Sequence, residues 1–107
     1  MFRINGIEWN LKFVPSDSEV LRNNNVYALG VTIPSIHTIY LSDELQGDLL
    51  HHVLVHEMFH AELASRGIEV PEYVEEVLCD IVADNSLETA TIANSIHDNL
   101  CRYYGRC

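Results

Sequence analysis

The sequence is poor in what breaks a globular fold or carries a chain into a membrane. Its 107 residues include only five glycines, three prolines and three cysteines. No apolar run approaches the ~18 residues needed to span a bilayer. So little Gly and Pro, beside 48% hydrophobic and 21% charged residues, excludes collagenous, linker-like and disordered chains. The opening Met1-Phe-Arg-Ile-Asn-Gly6 lacks the apolar stretch of a secretory signal. Cys79, Cys101 and Cys107 show no C-x-x-C spacing and leave an odd thiol, which fits reduced cytosolic cysteines better than a disulfide framework. The expectation is one soluble, cytoplasmic domain over residues 1–107, large enough for a single core.

Basic residues are also scarce, six against sixteen acids. Residues 1–42 balance to zero, so residues 43–107 carry the whole net charge of −10. Phosphate backbones are bound by clustered Lys and Arg, which excludes direct nucleic-acid binding. An acidic half reads first as a solvated surface and second as a preference for cations or basic partners.

What is present changes period near residue 43. Before it, short β-branched and aromatic runs alternate with turn residues. Gly6 to Val14 reads as a strand ended by Pro15, Glu19 to Arg22 as a helical turn and Asn23 to Asn25 as a loop. Tyr27 to Ile33 and Ile36 to Leu41 read as two further strands around Pro34. After it, Leu49, Leu50, Val53, Leu54, Ala61 and Ala64 recur at three- and four-residue spacing, a helix capped by Ser42-Asp43 with Gln46 and stopped by Gly67. Pro71 opens a second helix running to Asn85 or Ser86, and a third spans Leu87 to Tyr104. The fold class is therefore α+β: a small antiparallel or mixed three-stranded sheet followed by three helices.

The first helix contains His56-Glu57-Met58-Phe59-His60, an H-E-x-x-H motif. A spacing of four sets both imidazoles on one helix face, where both can reach one ion. Glu57 points about 100° round the helix, beside such an ion rather than on it, placed to take a proton from water. Zinc needs a third protein ligand. The candidates are His51, His52, His37, His97 and the acids of Glu72 to Asp84. His52 shares the face of His56, but it lies roughly 12 Å along the axis from His60, too far to share an ion, and His51 fails similarly. The next helix offers Glu76-Val-Leu-Cys-Asp80, again an i, i+4 pair. Glu76 is placed to bind the ion and Asp80 to accept the other ring N–H of a ligand histidine. Glu75 competes as ligand. Small Cys79 and Ala83 flank the acids and permit close helix approach.

From Ile39 to Asp84 the chain resembles zinc metallopeptidases of the gluzincin type, most of all the small ImmA/IrrE-like group often associated with phages and prophages. Matching residues are His56, Glu57, His60, Glu76 and Asp80. Met58-Phe59 departs from the small or Gly-containing pair often found inside the motif, and no helix-turn-helix domain accompanies it. SprT-like zincins share H-E-x-x-H but use a third histidine, and none follows here at a matching distance. The resemblance implies one Zn²⁺ per chain, a peptide or protein substrate, and hydrolysis with Glu57 as general base. The alternative is a zinc-binding regulatory module of phage type without turnover. The strand ending at Leu41 leads into the motif helix, so as a sheet edge it would pair with an extended peptide.

Overall fold

The computed structural model describes residues 1–107. Strands β1 (Phe2–Ile4) and β2 (Ile7–Val14) form a hairpin turned by Asn5 and Gly6, whose φ angles are 50° and 80°. Asn-Gly favours this positive-φ turn. A short 3₁₀ turn over Glu19–Leu21 buries Leu21. A minor hairpin of β3 (Arg22–Asn23) and β4 (Val26–Tyr27) follows. Next come β5 (Gly30–Ile33), a 3₁₀ turn at Pro34–Ile36, β6 (Thr38–Ser42), and helices α1 (Gly47–Ser65) and α2 (Glu72–Tyr104).

The main sheet is mixed, in the order β1-β2-β6-β5. β6 runs parallel to β2, from Asn10↔Thr38 to Val14↔Ser42, and antiparallel to β5, from Gly30↔Leu41 to Ile33↔Thr38. Trp9, Ile39 and Leu41 are fully buried and join Ile4, Leu45, Val53 and Ala61 in one core between sheet and α1. The Trp9 indole N–H donates to Ser65 Oγ at 2.8 Å, tying the sheet to the last turn of α1. Gly67, at φ 67°, then ends that helix, and the Ile68 N–H closes onto the Leu63 carbonyl.

The α+β class holds, but the element count does not. The sheet has four strands, because β1 pairs through the Asn5-Gly6 turn. The expected Tyr27–Ile33 strand divides into β4 and β5, and residues 34–36 form a turn rather than the start of β6. The Ser42-Asp43 cap is not formed: Ser42 ends β6 and its Oγ accepts from the Glu44 N–H, while α1 starts at Gly47. The second and third helices are one. Nothing between Pro71 and Gly105 breaks a helix, and Asn85 turns its amide back onto the Ile81 carbonyl at 2.8 Å instead of capping a new element. β6 is interior, paired on both sides, so the free edge beside α1 belongs to β5. No helix is long and apolar enough to cross a membrane.

Close contact of β5 with α1 depends on Gly30. A Cβ there would lie 2.9 Å from Leu41 Cδ2 and 3.0 Å from both Glu57 Cγ and Val53 Cγ1. Gly30→Ala therefore forces a packed core apart, and urea unfolding should show a loss of about 1–3 kcal/mol; Gly6→Ala, which meets no neighbour, should lose only the cost of its positive φ.

Candidate metal centre

Helix α1 presents two adjoining stripes. Val53, Glu57 and Ala61, four apart, are buried against the sheet. One residue back in each turn, His52, His56 and His60 face α2. There they meet its acids in antiparallel register. His52 Nδ1 lies 3.2 Å from Asp84 Oδ1, His56 Nδ1 lies 2.8 Å from Asp80 Oδ1, and His60 Nε2 lies 2.8 Å from Glu76 Oε1. Each step of four up α1 is a step of four down α2. Between the rungs stand Cys79 and Ala83, both buried, whose small side chains let the helices approach.

Two rungs converge. Glu76 Oε2 is 3.3 Å from His56 Nε2, so one carboxylate faces the Nε2 atoms of both histidines. Behind them, Asp80 holds His56 Nδ1, and Glu75 Oε2 lies 2.5 Å from His60 Nδ1. An imidazole with a carboxylate at each nitrogen is satisfied as an imidazolium or by a cation at one nitrogen. Two Nε2 atoms and a carboxylate are the open donor set that catalytic zinc accepts, and the carboxylate reaches one Nε2 with each of its oxygens, at 2.8 and 3.3 Å. Acids on both Nδ1 atoms fix the tautomer that such binding requires. The donor set fits zinc; it also accepts other divalent ions of similar preference.

Glu57 lies on the neighbouring stripe, buried, with Oε2 3.9 Å from His56 Nε2. Thr32 of β5 donates to its Oε1 at 2.8 Å. Burial pushes its carboxyl above the ordinary range, against the Thr32 hydrogen bond and the attraction of His60 and His56. These groups line a cleft of about 1410 Å³ floored by α1 and flanked by β5 and the start of α2.

The expected residues His56, Glu57, His60, Glu76 and Asp80 thus come together. His52 is on the cleft wall against Asp84, His51 is exposed, and His37 packs on Trp9, ring centroids 5.1 Å apart. His97 lies within 3.6 Å of Cys101 on the far half of α2. Sequence reasoning missed Thr32 altogether and the roles of Glu75 and Cys79. Glu75 is not idle but backs His60, because an i, i+4 test on α2 alone cannot find a partner on α1. Thr32 reaches Glu57 through strand register. Cys79 brings its sulfur within 4.8 Å of the donor atoms of His56 and His60. Burial, then the nearby Glu75, Glu76, Glu57 and Asp80, push its thiol up to about 12, so without a cation it stays neutral.

Comparison with protein-family models, curated proteins and solved structures gives no match for this chain.

Burial of Glu57 has a measurable consequence in metal-free protein. Its folded state prefers the proton, so the stability it contributes is present below the ordinary glutamate value, roughly 4.3, and drains away as pH rises through the raised one. Glu57→Gln keeps the shape without the charge. In chelator, its urea midpoint should exceed that of wild type at pH 7, and the two should converge as pH approaches 4. Equal midpoints at pH 7 would show that the carboxylate is not penalised by its surroundings.

Proposed function

We propose that this chain is a zinc-dependent endopeptidase, with one Zn²⁺ held by His56, His60 and Glu76. The observation that carries this reading is the single Glu76 carboxylate facing both histidine Nε2 atoms while Asp80 and Glu75 occupy both Nδ1 atoms. A helix surface that is merely acidic has no reason to order its carboxylates around two imidazoles. Zinc, when bound, supplies a Lewis acid for the scissile carbonyl and lowers the pKa of water to near 7.

The chain's own residues supply the rest. Thr32 engages Glu57 Oε1 and leaves Oε2, the oxygen near His56 Nε2, to receive a proton from water and pass it to the leaving amine. A carboxyl raised by burial sits closer to the pH at which such a base can both accept and return a proton. Along the same wall, the edge strand β5 offers backbone N–H and C=O groups to an extended peptide, which would lie as an added strand above Glu57. That mode selects unfolded or extended protein substrates over particular side chains. The carboxylates of the cleft, Glu69, Glu72 and Glu76 among them, favour basic ones.

A second reading is a metal-binding regulatory module without turnover, and Cys79 favours it, because a sulfur so close to both histidines can close the open position. Metal analysis of the purified chain tests both against a metal-free domain. One zinc per chain is expected, lost in His60→Ala and in Glu76→Ala and kept in His52→Ala. Loss in both Glu76→Ala and Cys79→Ser would make sulfur a fourth ligand, close the site and favour the module; retention in Glu76→Ala with loss in Cys79→Ser would transfer the third ligand to sulfur. Asp80→Ala should weaken zinc binding by ~10–100-fold. Glu57→Gln should keep zinc while cleavage of an unfolded, basic peptide falls by ~10²–10⁴-fold.

A further inference from the structure

Helix α2 outruns the body that supports it. Its first half packs on α1, yet from Leu87 to Tyr104 every residue except Cys101 is exposed. A lone helix of that length is marginal in water, because helices in proteins are held by packing an apolar face. This one has such a face. At 100° per residue, Leu78, Ile81, Ile92, Ile96, Leu100 and Tyr103 lie within about 50° of one line along the helix, on the side away from α1. Four of them, Ile81, Ile92, Ile96 and Tyr103, are more than half exposed. Between Ile81 and Ile92 the line passes over Asn85 and Thr89, so the stripe is an apolar patch on each half of the helix.

We propose that this stripe is a homodimer interface, in which α2 of a second copy lies antiparallel along it. Two features of the stripe select that occupant. The first is its near-palindromic spacing about residues 88–89: an antiparallel copy sets Ile81 against Ile96 and Leu78 against Leu100, with Thr89 at the two-fold axis. Such self-complementarity is what an isologous contact requires. The second is charge. Between Glu72 and Glu88 the helix carries six acids and no base, four of them turned to the histidines of α1, whereas the other end carries Arg102 and Arg106 against Asp98 alone. Parallel pairing sets acid beside acid; antiparallel pairing lays each arginine end along the acidic half of its partner. A paired stretch from Leu78 to Tyr103 buries on the order of 800 Å² per chain, the size of a standard stable interface. The metal-site acids Glu76 and Asp80 lie on a different face, so the pairing leaves the cleft open.

Sedimentation equilibrium of the full chain should give twice the 12.2 kDa of one copy. Ile92→Gln with Ile96→Gln should raise the dissociation constant by at least ~100-fold and lower far-ultraviolet helicity. The near-ultraviolet signal of buried Trp9 should persist, showing an intact body. Direction is read in a Cys101→Ser, Cys107→Ser background. Under mild oxidation, chains carrying Ile81→Cys should cross-link to chains carrying Ile96→Cys and not to one another. A monomeric wild type, a dimer indifferent to the double substitution, or self-cross-linking of Ile81→Cys would each overturn the proposal.

Discussion

The pairing of three histidines on α1 with acids on α2 is the interaction on which the rest of the molecule turns. The imidazoles of His56 and His60 are largely covered and meet their hydrogen-bonding needs on α2, whereas Asp80 and Glu76 opposite them stay more than half exposed to water. Met together at 2.8–3.2 Å, they fix the direction of α2, its distance from α1 and the orientation of two ring planes. The buried pair Cys79 and Ala83 is the steric half of the same constraint. Larger side chains there would hold the acids out of reach of the imidazoles.

Glu57 is the counterpart on the sheet side of α1. It occupies the middle of a stripe whose other members, Val53 and Ala61, are core residues, and no buried polar side chain is left without a partner. The fold accepts a carboxylate there because Thr32 donates to it and because Gly30 has no side chain to compete for the space. Two residues of one short edge strand thus shape the surroundings of a single acid. Such an arrangement costs the metal-free fold stability in order to hold a buried carboxylate at the cleft wall, and in the proposed function that carboxylate is the proton acceptor.

Much of this was legible in the sequence, and what was not has identifiable causes. Local period shows α1, the strands near Val14 and Leu41, and the acid pairs, because i, i+4 geometry is written into one helix at a time. The outer carboxylate on His60 required knowing which face of α2 meets α1, and Glu75 differs from Glu76 only by that rotation. Thr32 depends on the pairing of β5 with β6, a choice made between strands rather than within one. The supposed break at Asn85-Ser86 misled for a physical reason. Those side chains cap helices when the backbone turns away, but within a continuing helix Asn85 is satisfied by the carbonyl one turn back. The Asn5-Gly6 turn, by contrast, was a readable signal for β1.

The ladder between the helices repeats every four residues on both sides, and a periodic contact is degenerate. Sliding α2 by one turn would still set an acid against every histidine, bringing Glu88 to His52, Asp84 to His56 and Asp80 to His60. Only the native setting also puts an acid, Glu75, behind His60 Nδ1, because a slide of one turn replaces it with Pro71 or Cys79. What else distinguishes it lies outside the ladder, in the link of residues 66–71. Gly67 reverses the chain there within a turn of Ser65, and Pro71 fixes where α2 starts. That link acts as a vernier stop, so lengthening it by a single residue would detune the centre without removing any of its donors.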